Sequence, residues 1–305
     1  MFETEMFDDE SDIEVEQSGI VVTRYLCNSC GSIFGTSNYK IDTCPLCGEH
    51  SLSTEDYVES KEYSIVPFVK EIRDAQATYF RKTFWNPLIP FTFKVKRRRK
   101  DIQKVYLPAF LLNANQSGRV LFLGGEKKKI VKDRKKCLEI KKYDVYHTIN
   151  VDYNHVLTNV STKIDDRIFN NICQYDMDHL KPFQVDSLQD SSYLSADIEA
   201  SEVGNKEREK IARNTLFLVR DNVPHALKKL KEDQSTISFH GAKEVLVPAY
   251  LVAVPYRKNK YLFIMNGENG ASYMELPVGI LPTILLSIFV FGIVILIAYL
   301  IACYL

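Results

Sequence analysis

The sequence predicts an α+β protein in several parts, and three observations carry that prediction. Two CxxCG motifs stand near the N-terminus, Cys27-Asn28-Ser29-Cys30-Gly31 and Cys44-Pro45-Leu46-Cys47-Gly48. Two octapeptides of the same type, VYLPAFLL at 105–112 and VLVPAYLV at 245–252, lie 140 residues apart. The stretch VGILPTILLSIFVFGIVILIAYLIACYL, at 278–305, carries no charged side chain. The residues before it suffice for one sizeable core and a small satellite. With 39 basic and 39 acidic residues, net charge alone points to no partner.

Residues 1–20 are predicted to be a disordered acidic arm. The first 16 hold eight carboxylates and no basic group, without apolar periodicity. The start MFETEMFDDESDIEVEQ also lacks the basic residues and apolar run of a secretory signal. The N-terminal domain is therefore expected in the cytoplasm. Cysteines stay reduced there, and paired cysteines read as metal ligands before disulfides.

In each CxxCG motif two thiolates approach one ion from a tight turn. The glycine that follows takes positive φ, turning backbone amides towards the sulfurs. Two such knuckles, 13 residues apart, make a four-thiolate tetrahedron. Cys27, Cys30, Cys44 and Cys47 are thus predicted to bind one structural Zn2+ in a zinc ribbon over 21–52. Four thiolates leave no open coordination position, which argues against a catalytic metal. Short strands are expected at 32–34 and 39–41, with Tyr25, Ile33, Phe34 and Ile41 as the core. So small a unit should not fold without its metal. A dithiol redox pair leaves the second knuckle unexplained, and His50 reads as a surface histidine.

The polar stretch SLSTEDYVESKE predicts a linker over 53–63, and a duplicated α+β domain is expected over 64–276. A helix is predicted at 67–85, capped near Ser64 with Pro67 early. Its apolar residues recur at Phe68, Ile72, Ala75, Tyr79, Phe80 and Phe84, and Trp85-Asn86-Pro87 ends it. Strands follow as IPFTFKV, DIQKVYLPAFLLNAN and, after a loop at Gln116-Ser117-Gly118, RVLFL. CLEI and KYDVYHTINVDY continue the series. A second helical stretch at 205–232, interrupted at Pro224, precedes VLVPAYLV and its own return strand KYLFI. Helix then hairpin, twice over, is the predicted repeat. Pro108 and Pro248 should sit at an edge or bulge, because neither can donate to a ladder.

At about 1.5 Å per residue, 278–305 exceeds the roughly 30 Å of a bilayer's hydrocarbon core. A single transmembrane helix is predicted over 277–305. With nothing after Leu305, it is expected to be a tail anchor in the cell membrane, crossing the bilayer once. Arg257, Lys258 and Lys260 precede it by about 20 residues, which favours a cytoplasmic domain.

KVKRRRK at 94–100 and EKKKIVKDRKK at 126–136 fit anionic lipid headgroups or nucleic acid, and equally a solvated hairpin tip. Tethering favours lipid, and no aromatic residue interleaves either run. No GxxxxGK[ST] is present, and Gly124-Gly125-Glu126-Lys127 lacks its spacing. GxSxG and HExxH are absent too. His147, His155, His179, His225 and His240 show no ligand spacing, and Cys137 and Cys173 stand outside any pattern. The expectation is a non-enzymatic scaffold or adaptor, its protein partner unidentified. The alternative is a membrane-tethered nucleic-acid-binding protein.

The paired knuckles, PFVKEIRDAQATYFRKTFW, VYLPAFLLNA, HLKPF with SSYLSADIEAS, VLVPAYLVAV and FIMNGENG together resemble a bacterial family over residues 25–276. These are the transcription-factor-IIB-type zinc-ribbon membrane proteins, sometimes labelled primosomal-helicase-like. The resemblance implies a zinc ribbon and, in many members, a hydrophobic C-terminus. It carries no activity with it, and the missing nucleotide site speaks against the helicase label.

Overall fold

The structure, a computed structural model, describes residues 20–37, 40–59, 63–95, 101–132, 135–184, 188, 190–223 and 227–304. Residues 1–19 of the expected acidic arm lie outside them, and Ile20 begins the first strand. The fold is mixed α+β and mostly β, built on one twelve-stranded sheet. Its first strands are β1 (Ile20–Cys27), β2 (Ile33–Thr36) and β3 (Leu52–Glu59), then the two-residue β4 (Ser64–Ile65). After α1 (Ile72–Phe84) and α2 (Phe91–Val95) come two long strands, β5 (Gln103–Lys132) and β6 (Lys135–Asn159). The chain continues through α3 (Asp166–Asn170), β7 (Lys181–Pro182), β8 (Ser192–Leu194), α4 (Ala200–Asn222) and β9 (Leu227–Asp233). It ends with β10 (Thr236–Tyr256), β11 (Asn259–Asn266), β12 (Ser272–Met274) and α5 (Ile280–Tyr304).

The sheet is organised on the antiparallel pair β5 and β10, which carry the two octapeptides. Their register sets Leu107 opposite Val247 and Pro108 opposite Leu246. Both octapeptides are nearly all apolar because both faces of this pair are covered. On one face Val105, Leu107, Ala109, Val245, Val247 and Ala249 pack with the cysteine knuckles, Ile168, Phe169 and Ile172. On the other, Tyr250, Val252 and Val254 meet Ala75, Tyr79, Ile89 and Phe93.

The two prolines lie in central strands and not at an edge. Each sits where the outer neighbour of its strand changes. Beside β5 that neighbour is β8 at Val105 and Tyr106, then β6 from Ala109 onward. Beside β10 it is β4 at Val245 and Leu246, then β11 from Ala249 onward. A residue without an N–H is tolerated in such a seam.

Several expected elements differ. β5 runs straight through Gln116-Ser117-Gly118, so RVLFL does not fold back on VYLPAFLL but pairs with β6 and β9. Gln116 and Gly118 are there for tertiary reasons. Buried Gln116 donates to Ser235 Oγ at 2.9 Å and accepts from Thr215 Oγ1 at 2.5 Å. Gly118, at φ +145, leaves room for the turn before β10, where a Cβ would lie 2.5 Å from Gln234 O. The strand returning on the first octapeptide is therefore β6.

Residues 64–65 form β4 and not a helix cap. Glu71 caps α1, paired with Asp74 in a capping box. The backbone of Val69 and Lys70 is held by Gly267 O. Residues 91–95 form a helix turn, because Phe93 and Lys94 donate to Pro90 O and Phe93 must reach the core. Residues 227–233 are a strand, while Pro224 and His225 lie outside the described residues. The stretch expected as a linker is largely β3, paired over its whole length with β1.

Candidate metal centre

Strand β1 delivers Cys27, and the turn after it brings Cys30 back beside it. Gly31 N donates to Cys27 O at 2.8 Å, and Cys27 N donates to Ser32 O at 2.9 Å. The second knuckle repeats the pattern: Gly48 N donates to Cys44 O at 2.8 Å, and Cys44 N to Glu49 O at 2.9 Å. Gly31 and Gly48 have φ of +69 and +73, a region that favours glycine. This is the role the CxxCG spacing assigns them.

All four sulfurs lie within 4.8 Å of one another. Cys27 Sγ and Cys47 Sγ are 3.5 Å apart, and Cys30 Sγ and Cys44 Sγ 3.7 Å. A tetrahedral ion bonded to sulfur at about 2.3 Å requires edges of about 3.8 Å. A disulfide would need about 2.05 Å, and all four cysteines are free. The donor set therefore fits one four-coordinate metal ion with no position left for a substrate.

Cys27, Cys44 and Cys47 are buried and Cys30 is partly so. Burial pushes the Cys44 thiol up to about 11, and pushes Cys47 up further. At Cys30 burial also pushes upward, but hydrogen bonds to Ser32, Cys27 and Cys44 outweigh it and leave the thiol at about 7. Four thiolates this close demand a cation, so ion binding must displace protons. Ser32 escapes sequence reading. Its buried hydroxyl lies 2.9 Å from Cys30 Sγ and 3.5 Å from Cys44 Sγ. Nothing in the motif marks it beyond its place after Gly31.

The pair of cysteine knuckles is not a satellite. Phe34 and Gly35 of β2 pair with Leu194 and Tyr193 of β8, which joins the knuckles to the main sheet. Gln103 Nε2 donates to Thr43 O at 2.9 Å, tying β5 to the second knuckle. Gly48 approaches β10 so closely that a Cβ would lie 3.1 Å from Ala253 O. Tyr25, Phe34 and Ile41 are buried as expected, while Ile33 is exposed and Tyr39 lies outside the described residues.

Among the histidines, exposed His50 reaches Asp42 O at 3.2 Å and stays outside the cluster. His240 lies beside Ser238 Oγ, and His147 beside the Phe122 ring. The fold does gather one group that the sequence scatters. His155, Cys173, His179 and Glu268 line an open cleft of about 630 Å³. His179 Nδ1 is 2.8 Å from Glu268 Oε1, and this hydrogen bond, with Asp176 nearby, raises the imidazole's pKa. The Cys173 thiol is pushed up by burial, the opposite of an activated nucleophile.

At the other end of the chain, Ile280–Cys303 is long and apolar enough to cross a membrane. None of its most apolar window is buried against the protein.

The chain is similar to the uncharacterized protein YdjG of Bacillus subtilis (strain 168), 22% identical over 218 residues. The match covers 68% of this chain and 61% of that protein, less than two thirds of the relative's length. No family model matches the chain, and no solved structure matches it.

Proposed function

We propose that this is a zinc-containing protein anchored in the membrane by helix α5, whose sheet domain faces the cytoplasm as a non-enzymatic scaffold or adaptor. The observation that carries the reading is the siting of the four sulfurs. They lie in the core against one face of the paired strands β5 and β10, saturated by one another's geometry, so the ion holds a surface together and leaves no position for chemistry. Zinc suits four thiolates with no redox demand. Helix α5, apolar on every side and not covered by protein, supplies the tether. The resemblance to zinc-ribbon membrane proteins agrees with both ends of the chain.

A second reading rests on the β5–β6 ribbon. Beyond Gly125, the last residue that pairs with β9 among the described residues, β5 and β6 stay paired to Lys132 and Lys135. Lys127, Lys128 and Lys129 are exposed along this ribbon, opposite Ile140, Glu139 and Leu138. The side chains of 130–137 and all of 96–100 lie outside the described residues. Such a basic finger fits an anionic surface, and tethering favours lipid headgroups over nucleic acid. Detergent-solubilised full chain is expected to leave duplex and single-stranded nucleic acid unretarded at near-physiological salt. Retardation that falls steeply between 50 and 200 mM salt would replace the adaptor reading with the nucleic-acid one.

We infer also that the platform holds two copies of one unit, in a form other than helix plus simple hairpin. The supporting features are local. Ser64 and Ile65 of β4 lie beside Val245 and Leu246, as Ser192 and Tyr193 of β8 lie beside Val105 and Tyr106. Helix α1 starts seven residues after Ile65, and α4 seven residues after Tyr193. The return strands β6 and β11 end at Asn159 and Asn266, which face Ala109 and Ala249.

Each asparagine then closes the loop that follows it. Asn159 Oδ1 accepts from Ser161 N at 3.1 Å, and Asn266 Oδ1 from Glu268 N at 2.7 Å. Asn159→Ala and Asn266→Ala are each expected to lose about 1–3 kcal/mol, because each strands buried backbone groups. Denaturant unfolding checks this. A large loss at one site and none at the other would break the equivalence.

A further inference from the structure

We propose that the corner between α1 and α2 is a second membrane contact, seated in the headgroup-to-acyl boundary of an anionic bilayer beside the start of α5. The proposal rests on α5 being the membrane span, and goes beyond it by placing part of the sheet domain in the lipid.

The corner is fastened to the span. Gly279 N donates to Leu88 O at 2.9 Å. A Cβ at Gly279 would lie 2.9 Å from Pro90 Cγ, so a glycine permits the approach. Ile89 and Phe91 on the corner, with Leu285, Leu286 and Phe289 on α5, line an apolar groove of about 400 Å³. At about 1.5 Å per residue, Phe289 lies roughly 14 Å along the axis from Ile280. The 25 residues of α5 span about 37 Å, about 7 Å more than the hydrocarbon thickness. A corner that reaches the level of Phe289 therefore cannot stay wholly in water once α5 is embedded.

Its composition matches that position. Ile89 and Phe93 point into the sheet core, whereas Phe91 is 77% exposed and Trp85 73% exposed. Phe84 is exposed as well, stacked on Phe80 and edge-on to Trp85. Aromatic side chains of this kind concentrate at the membrane–water boundary, where an apolar ring and a polar N–H are both satisfied. Arg81, Lys82 and Lys94 stand in the last turns of α1 and α2. Basic residues flanking exposed aromatics select anionic headgroups.

Trp85 is the chain's one tryptophan, so intrinsic emission reads this corner alone. The full chain is reconstituted in vesicles of phosphatidylcholine and phosphatidylglycerol, and carbonate resistance is checked on the same sample. The expected result is blue-shifted emission that lipids brominated near the headgroup quench strongly. Lipids brominated near the terminal methyl should quench it less, and aqueous acrylamide little. A carbonate-resistant chain whose tryptophan is quenched by acrylamide and untouched by brominated lipid overturns the corner contact and leaves the span standing. A chain that carbonate extracts overturns both.

Discussion

Replacing Cys44 by serine is expected to unfold the sheet domain, and not the knuckle alone. A structural zinc site contributes about 10–16 kcal/mol of apparent binding free energy at neutral pH. The net stability of a whole domain is only about 5–15 kcal/mol. Cys44 and Cys47 also lie in the same core as Val105, Leu107 and Val247, so the knuckle cannot loosen by itself. Its hold extends through Gln103 to β5 and through the close approach of Gly48 to β10. Thermal unfolding of the detergent-solubilised chain, followed by circular dichroism, measures the effect. Cys303→Ser, exposed on α5, serves as the control and should melt with the unaltered chain. Equal melting of Cys44→Ser would mean that the metal is incidental to the fold.

The second large effect concerns α5. The full chain should resist carbonate extraction from membranes, whereas residues 1–276 should be recovered without detergent. Burying a helix of this composition in lipid is favourable at nearly every position, since each Leu, Ile, Phe or Val contributes about 0.3–0.6 kcal/mol at a helix centre. The truncated chain retains the aromatic corner at Phe84, Trp85 and Phe91. Residual association that a salt wash removes is compatible with the account. Recovery of the full chain in the soluble fraction is not.

What could be read in the sequence follows a physical division. A metal site made by two tight turns is local, so the spacing of Cys27, Cys30, Cys44 and Cys47 sufficed to group them. Helix α5 needed only composition, and most of α1 only its apolar period. Elements set by distant partners were not legible. Gln116-Ser117-Gly118 looks like a turn until Thr215 and Ser235 are known to lie against it. FTFKV alternates like a strand, yet the Pro90 carbonyl and the pull of Phe93 into the core make it helical. Residues 53–59 have the polarity of a linker, and β1 alone makes them a strand. Two-residue strands such as β4 have no local signature at all. The cleft around His179 and Glu268 is assembled from residues far apart in sequence, so no spacing rule finds it.

The proposed zinc ion in the core of a membrane-tethered sheet is tested by the metal content of the full chain, purified from membranes in mild detergent without added metal. Close to one zinc per chain is expected, retained through dialysis and lost in Cys27→Ser or Cys44→Ser. A cooperatively folded chain free of metal, or either serine variant holding a full equivalent, would contradict it.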